Sequence, residues 1–442
     1  MADQTLSIPW GSEQMQLRLP REWEMMGVMA PASRAGVADV EAEVRRSLAA
    51  PIGLPRLAEL ARPGMKVLIV VDDDSRPTPV ARLMPHVLAE LQQAGVPADQ
   101  ITLMAALGVH RPMAEAELAR RVGAAALAGM RWETHACDDE AQLATLGVTR
   151  RGTPVAVNRT AAQADLVVSI GCIEPHLIAS FGGGYKNLVP GLAGRATIAH
   201  NHALNCRPEH FNSVGQPIDR NPMRLDLEEA AAMLRPPVFV VNAVLNSALE
   251  VVQVVSGHPV AAHREGARVS AQIYGVAVPA QADVVITSSH PMDHDLRQGV
   301  KALGNVVCAL RPGGVMITLI RAVEGLGVFG LANTRLPVGR SGLQLLAPAL
   351  LPLVPRLKVK GLAEDDRFFL YFALQAMRRG ELLIYAPTVP AEIHARLPFV
   401  LFMGSPEAAL ARARRKFPRS AKVAIFPHGG STFPICPEGN HD

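Results

Sequence analysis

The sequence predicts an α/β protein made of two Rossmann-like domains, with the active site in the cleft between them. Short apolar, β-branched runs alternate with helical patterns, which is typical of a mostly parallel sheet. A second series of the same kind begins near residue 279. The chain has 442 residues, which is too long for one ordinary domain and long enough for two cores.

The N-terminal series is predicted from the period of its apolar residues. Short continuous apolar runs indicate buried strands, and apolar residues at helical spacing indicate helices. In chain order the elements are strand Lys66–Val71, helix Val80–Ala94, strand Ile101–Leu107, helix Ala114–Val122, strand Asp165–Ile170, and an antiparallel pair of strands, Phe239–Leu245 and Leu249–Val255. Polar residues such as Asn242 interrupt that last apolar stretch, so we do not expect it to span a membrane.

The C-terminal series follows the same logic. Its elements are strand Asp283–Ser288, helix Leu296–Leu310, strand Val315–Ile320, the segment Leu346–Leu357, and strand Lys422–Pro427. The segment 346–357 contains three prolines, which predicts a packed loop or a broken helix. We expect an N-terminal domain at 1–278, a C-terminal domain at 279–415, and a tail at 416–442 that returns to the N-terminal domain.

Composition excludes several classes of function. The net charge is +4 on a chain with 44 basic and 40 acidic residues, and no basic run is interleaved with aromatic residues, which argues against nucleic acid as a partner. The five cysteines are scattered and form no CxxC, which argues against a disulfide framework or a zinc ribbon. The first residues lack a basic start and an apolar core, so we expect a cytoplasmic protein.

Three polar motifs follow predicted strands directly. They are Asp72–Pro79 (DDDSRPTP), Gly108–Met113 (GVHRPM) and Glu174–His176 (EPH). Ligands of open α/β sheets bind outside the carboxyl ends of the strands. Arg76 could therefore grip a carboxylate or phosphate, and His110 could act as a general base. The alternatives are a solvated acidic turn with an arginine partner and a structural histidine.

Further along the chain, three more features suit an anionic ligand or a metal. Gly182, Gly183 and Gly184 allow close backbone approach and offer amide donors, and Lys186 follows them. His202 is a candidate ligand for nickel, copper or zinc, although no multi-histidine zinc spacing is present. Gln298 and Lys301 share one face at the start of a helix. The alternatives are a flexible loop, a surface histidine and a polar helix face.

Together, DDxxRPTP, GxHRPM, ExH…GGGxKxxxPG, a histidine sixteen residues after that lysine, and QxxK resemble the nickel-dependent lactate racemase family. The resemblance covers residues 72 to 301 by motif. It implies a nickel-pincer nucleotide cofactor, a pyridinium mononucleotide whose two sulfur-bearing arms hold Ni(II). The roles it implies are nickel ligand for His202, covalent attachment to the cofactor's thiocarboxyl arm for Lys186, paired acid and base for His110 and His176, and contact with the cofactor or substrate for Asp73, Arg76, Gly182, Gly183, Gly184, Gln298 and Lys301.

The resemblance implies a racemase of a short 2-hydroxy acid such as lactate. Hydride would leave C2 for the pyridinium, give a 2-keto acid, and return to the other face. Each orientation of the hydroxyl needs its own base, which accounts for two histidines. The implied partners are a 2-hydroxy acid and the enzymes that make the cofactor, with neither nucleic acid nor membrane. A homo-oligomer is compatible with the sequence.

Two departures from the family concern the substrate pocket. Ser288–Pro291 stands where the family often has a glycine pair, and the chain's tryptophans all lie in the first 132 residues instead of late in the second domain. Phe368, Phe369 and Tyr371 are the candidates to replace the missing tryptophan. The alternatives left open are a C2 epimerase of an aldonic acid on the same cofactor and a non-catalytic cofactor carrier. A NAD-dependent dehydrogenase is disfavoured because no GxGxxG follows the early strands.

Overall fold

The computed structural model describes residues 4–327, 329–334, 336–357 and 361–436, which form a mixed α/β structure with parallel sheets. In chain order the strands are Gln4–Trp10 (β1), Glu13–Leu19 (β2), Glu24–Val28 (β3), Val67–Asp72 (β4), Ile101–Ala106 (β5), Arg131–Glu133 (β6), Leu143–Val148 (β7), Pro154–Asn158 (β8), Leu166–Cys172 (β9), Pro175–His176 (β10), Ser180–Phe181 (β11), Val238–Leu245 (β12), Val251–Gly257 (β13), Gly275–Ala277 (β14), Ala282–Ser288 (β15), Leu310–Leu319 (β16), Gly380–Tyr385 (β17), Leu401–Phe402 (β18), Lys422–Phe426 (β19) and Phe433–Ile435 (β20).

The α-helices of the same residues alternate with the strands. They are Val40–Ala49 (α1), Leu57–Leu60 (α2), Val80–Gln93 (α3), Glu115–Val122 (α4), Ala124–Ala128 (α5), Arg159–Gln163 (α6), Arg195–Ala203 (α7), Pro222–Ala231 (α8), Ala261–Tyr274 (α9), Leu296–Gly299 (α10), Lys301–Val306 (α11), Gly330–Asn333 (α12), Arg340–Leu350 (α13), Arg367–Arg379 (α14), Ala391–His394 (α15) and Pro406–Lys416 (α16). No helix in the ranges described is both long and apolar enough to cross a bilayer.

The N-terminal sheet has the strand order β13-β12-β9-β4-β5-β6. Its neighbours are parallel, except for the antiparallel pair β12 and β13. The central strands β4 and β9 are buried along their whole length, as expected for apolar strands covered on both faces. The predicted alternation of strands and helices and the predicted antiparallel pair are confirmed here.

The C-terminal sheet has the order β18-β17-β16-β15-β19-β3, and all of its paired strands are parallel. Two of these strands differ from the predicted division of the chain. Strand β3 comes from the N-terminal segment, and β19 comes from the tail that was expected to return to the N-terminal domain. The short strand β20 pairs with β14, so the last part of the tail does contact the N-terminal half. Pairing between strands that lie far apart in the chain leaves no local signal in the sequence.

In the C-terminal half one predicted helix differs in detail, and the proline-rich segment agrees with one of its two predicted forms. The helix expected over 296–310 is divided into α10, α11 and a 3₁₀ turn at 307–309. The proline-rich segment is a broken helix, as one of the two predicted alternatives states: α13 ends at Leu350, and a 3₁₀ turn follows at 354–356.

Candidate active site

One cavity of about 210 Å³ lies between the two sheets and is lined by residues from both halves of the chain. Eight side chains that the sequence singled out line this cavity: Asp73, Arg76, His110, His176, Lys186, His202, Gln298 and Lys301. They come from segments spread over more than 200 residues. The fold therefore brings together the side chains that the motifs singled out as candidates for ligand binding, acid–base chemistry and metal ligation.

The topology of the N-terminal sheet explains this convergence. Strands β9, β4 and β5 are adjacent and parallel, so their carboxyl ends meet at one edge. Asp73 and Arg76 follow β4, His110 follows β5, and His176 follows β9. Each side chain thus enters the cavity from the end of a rigid buried strand.

His110 is held by a carboxylate. Its Nδ1 lies 2.5 Å from Oδ2 of Asp73, and the Ser75 hydroxyl donates to the other carboxylate oxygen at 2.6 Å. Burial alone would raise the pKa of Asp73, but the bonds from His110 and Ser75 outweigh burial and hold that pKa well below its usual range. Because an ionised carboxylate can only accept, it fixes a proton on Nδ1 of His110, and the neutral form of that imidazole carries its lone pair on Nε2. This form is suited to act as a base.

His176 is held in the opposite form. Its Nδ1 accepts hydrogen bonds from the backbone amides of Ile178 at 3.3 Å and Ala179 at 3.1 Å. Burial, and then the charges of Lys186 and Arg76, lower the pKa of His176 well below its usual value. A neutral imidazole that accepts at Nδ1 carries its proton on Nε2. The cavity therefore contains one histidine with an available lone pair and one with an available N–H.

Arg76 forms an ion pair with Glu174, a residue for which the sequence gave no role. Burial opposes ionisation of Glu174, but Arg76 and then Lys301 outweigh it and keep the carboxyl pKa below its usual value. The backbone of the Arg76 loop is fixed by Arg121, which donates to the carbonyl oxygens of Asp72 and Arg76 at 3.0 and 2.8 Å. The sequence analysis missed Arg121, because its partners lie 45 and 49 residues away.

The three glycines do not line the cavity, so contact between their amides and a cofactor stays a prediction. The amide of Gly184 donates to Oδ1 of Asn242 at 2.8 Å, and that of Gly182 donates to the Glu174 carbonyl oxygen. Gly183 has φ of 76°, and a Cβ there would come 2.6 Å from Cγ1 of Ile173. The glycines thus let the chain turn tightly behind the site. The polar residue Asn242 in an apolar strand was the one sequence signal for this contact.

Lys186 follows the glycine turn, and a second missed residue, Arg224, supports that turn. The guanidinium of Arg224 is fully buried and donates to the carbonyl oxygens of Phe181 at 2.5 Å and Gly183 at 3.3 Å. Burial lowers the pKa of Lys186 to about 7, and the nearby cations, first of all Arg76, act in the same direction. The amine is therefore partly neutral near physiological pH and can act as a nucleophile.

His202 is oriented as metal-binding histidines commonly are. It lies on α7, and its Nδ1 bonds to the carbonyl oxygen of Ile198 at 2.8 Å. That bond places the proton on Nδ1 and the lone pair on Nε2. Within the ranges described, no group of three or more His, Cys, Asp or Glu side chains could hold a metal by itself. A metal bound by His202 would therefore need ligands from another molecule.

The C-terminal half contributes Gln298 and Lys301 from the start of α10 and α11. The side chain of Asp295 caps this helix by accepting from the Gln298 amide at 2.7 Å. The side-chain oxygen of Gln298 is buried and has no hydrogen-bond partner among the described residues. Burial lowers the pKa of Lys301 to about 8. An unsatisfied oxygen and an amine beside the cavity are groups that a bound ligand would satisfy.

Comparison with known proteins identifies the family of this chain. Residues 10–213 match the family model described as the lactate racemase N-terminal domain. A lactate racemase from Thermoanaerobacterium thermosaccharolyticum is 30% identical over 329 residues, which make up 73% of this chain and 75% of that protein. The chain belongs to the lactate racemase family. A second family member, the lactate racemase of Lactiplantibacillus plantarum, is 27% identical over 394 residues, or 87% of this chain and 89% of that protein.

Solved structures show the same fold. The lactate racemase apoprotein from T. thermosaccharolyticum superposes with a TM-score of 0.82 at 24% identity, over 98% of this chain and 100% of that one. A protein from Thermotoga maritima gives a TM-score of 0.65 at 15% identity, over 92% of this chain and 100% of that one. Membership in the lactate racemase family makes the chain a racemase, and hence an isomerase.

Lys186 should be the most reactive lysine of the chain when no cofactor is bound. With a pKa of about 7, about half of its amine is neutral at pH 7, against roughly one in a few thousand for an ordinary lysine. Brief reductive methylation at pH 7, followed by peptide mass spectrometry, should modify Lys186 ahead of Lys66 and Lys422. Raising the pH to 9 should narrow the difference in labelling rate between Lys186 and the other lysines, because the other amines then begin to lose their protons. Labelling of Lys186 at the same rate as Lys66 at pH 7 would contradict its lowered pKa.

Proposed function

We propose that the protein is a racemase of 2-hydroxy acids that depends on a nickel-pincer nucleotide, with its active site in the cavity between the two sheets. One observation carries the proposal: the lone pair of His110 and the N–H of His176 line the same cavity as Arg76, Lys186 and His202. Lactate, the substrate in the names of both relatives, is the first candidate.

The side chains present fit the cofactor. His202 would bind nickel through Nε2, which its bond to Ile198 leaves with a lone pair. The partly neutral amine of Lys186 would condense with the thiocarboxyl group, forming a thioamide C–N bond as water leaves, and the unsatisfied Gln298 oxygen and Lys301 would bind polar groups beside it. When bound, the cofactor would supply an acceptor that takes hydride from C2 and gives it back.

The protein groups would position the acid and move its hydroxyl proton. Arg76, which already pairs with Glu174, would bind the substrate carboxylate through its remaining N–H groups. Nε2 of His110 would take the hydroxyl proton as hydride leaves C2, and the Asp73 carboxylate would stabilise the imidazolium. The planar 2-keto acid would then turn its oxygen toward the N–H of His176, which would donate a hydrogen bond to that oxygen and stabilise its negative charge as hydride adds to the other face. The proton held by the His110 imidazolium would then pass to the oxygen, which leaves both histidines in their starting forms. In the reverse reaction the hydroxyl would begin beside His176, and His110 would again take and return its proton.

Isotope labelling of the cofactor-loaded enzyme tests this mechanism. We expect enantiopure lactate or another 2-hydroxy acid to racemise in D₂O without taking up deuterium at C2. Substrate deuterated at C2 should keep its label and react more slowly, because the same hydrogen leaves and returns. Deuterium uptake from solvent at C2 would indicate removal of a proton instead of a hydride. Absence of any racemisation by protein that contains nickel would overturn the proposed function.

A further inference from the structure

The cavity has an apolar arm beyond its polar cluster. Five of the chain's twelve phenylalanines line this one cavity: Phe329, Phe369, Phe372, Phe399 and Phe402. Aromatic residues make up only 4% of the sequence, so this concentration is unusual. Of the three aromatic residues considered as replacements for the family's tryptophan, Phe369 lines the cavity, and Phe368 and Tyr371 do not.

A helix and two strands line the arm. Helix α14 lines the cavity with Phe369, Phe372, Ala373 and Ala376, whose spacing of three, four and seven residues places them on one face. Strand residues line the arm as well: Phe402 of β18, which is partly exposed, and Leu382 and Ile384 of β17, which are buried. Of the two alanines, Ala376 is fully buried and Ala373 keeps part of its surface exposed, so the open space adjoins Ala373.

The arm begins at the polar cluster. Arg297, from the same helix turn as Gln298, holds its guanidinium carbon 6.0 Å from the centre of the Phe369 ring. Phe369 therefore marks the junction between the charged groups and the apolar arm. A ligand whose carboxylate and hydroxyl lie among the charged groups would extend its remaining substituent past Phe369.

The apolar lining of the arm determines which kind of substituent on the acid it favours. Every described residue that lines the cavity from Phe329 onward is apolar. A polyhydroxylated chain would lose its hydrogen bonds to water there and gain none from the wall, which disfavours an aldonic acid. A methyl group would leave most of the apolar surface uncovered. A large apolar substituent would displace water from that surface and gain the hydrophobic free energy of its burial.

We propose that the substrate is a 2-hydroxy acid with a large apolar substituent, such as a benzyl or branched alkyl group, seated against Phe369 and Ala373 of α14. This inference rests on the proposed racemase function. It names the substrate class for which the apolar arm is shaped, and it separates that class from lactate and from sugar acids. Each methylene placed in an apolar pocket changes specificity about 10- to 200-fold, so the preference should be large.

The test compares four acids on the cofactor-loaded enzyme: lactate, 3-phenyllactate, 2-hydroxy-4-methylpentanoate and gluconate. Chiral chromatography gives kcat/KM for each one. We expect both apolar acids to exceed lactate at least about 100-fold, with gluconate the poorest substrate. If lactate or gluconate is the best substrate, the apolar class is wrong while the racemase function stands.

A variant with a larger side chain in the arm tests the same proposal by mutation. Ala373→Leu, and the smaller change Ala373→Val should the first fail to fold, would place a longer side chain where the substituent sits. In either variant kcat/KM for 3-phenyllactate should fall about 100-fold further than kcat/KM for lactate. Ala349→Leu, on the exposed face of α13, is the control that adds the same side chain outside the cavity. Equal losses for both acids would overturn the proposal.

A binding measurement separates this inference from the proposed function. Calorimetry on the protein without cofactor should show 3-phenyllactate binding at least tenfold more tightly than lactate, whether or not the loaded enzyme turns either acid over. Should racemisation fail for all four acids, tighter binding of the apolar acid would still support the arm as its site. Equal affinity for the two acids, or no binding of either, would overturn the inference.

Discussion

Replacement of His110 or His176 by alanine is expected to lower kcat for racemisation about 10²- to 10⁴-fold in both directions, the range over which a positioned acid or base contributes. The structure gives the two histidines opposite forms, because Asp73 fixes the proton of His110 on Nδ1 and backbone amides fix that of His176 on Nε2. Each direction of the reaction needs a group that takes and returns the hydroxyl proton, and an N–H that stabilises the oxygen when it faces the other side of the cavity. Loss of either group therefore stops both directions.

The measurement is the initial rate from each enantiomer, with nickel content determined on the same samples. His86→Ala is a suitable control, since His86 lies on α3 and does not line the cavity. Asp73→Asn should lower the rate by a smaller factor than His110→Ala, because it weakens the support of His110 and leaves the imidazole in place. One-way activity near the wild-type rate in either alanine variant would rule out the paired scheme. Loss of nickel in these variants would show a structural role instead.

Much of this site could be predicted because its motifs follow buried strands. Continuous apolar runs identify β4, β5 and β9, and the carboxyl ends of adjacent parallel strands must meet. Polar residues placed directly after such runs, such as Asp73 and His110, are therefore neighbours in space however far apart they are in the chain. The same argument places Gln298 and Lys301 after β15 of the second sheet.

Other features depend on contacts between distant segments and left no local pattern. The pairing of Arg76 with Glu174 joins residues 98 positions apart, and the clamp of Arg224 on the glycine turn spans more than 40. A lone arginine in an amphipathic helix looks the same whether it faces solvent or a buried carbonyl. The incorporation of β3 and β19 in the C-terminal sheet is hidden for the same reason.

The apolar arm could not be predicted either. An apolar side chain gives the same sequence signal whether it packs against a neighbour or borders a cavity, and Phe399 and Phe402 fit a core as well as a pocket. Only the packed structure shows that Phe369 and Ala373 border a cavity. The sequence did indicate that the pocket departs from the family, through its missing tryptophan, but it gave no direction for the change.

The second large effect is expected on the nickel content of the protein. His202→Ala should reduce nickel from about one per chain to background in protein produced together with the cofactor-making enzymes and purified without chelator. His202 offers the cavity the imidazole nitrogen that its bond to Ile198 leaves with a lone pair. Within the described residues no cluster of metal-ligating side chains could take its place, so we expect the affinity for nickel to depend on this one imidazole and on the cofactor's own ligands.

His200→Ala is the matched control, because His200 lies two residues away on the same helix. Residues two apart on a helix face different directions, and Nδ1 of His200 contacts the hydroxyl of Thr153 at 2.8 Å instead of lining the cavity. Its replacement should leave nickel unchanged. Intact mass separates two origins of nickel loss: a His202→Ala protein that keeps the mass of the nucleotide at Lys186 has lost only the ligand. Full nickel in His202→Ala, or equal loss in both variants, would remove His202 from the metal site, and the family motifs in this chain would then need another explanation.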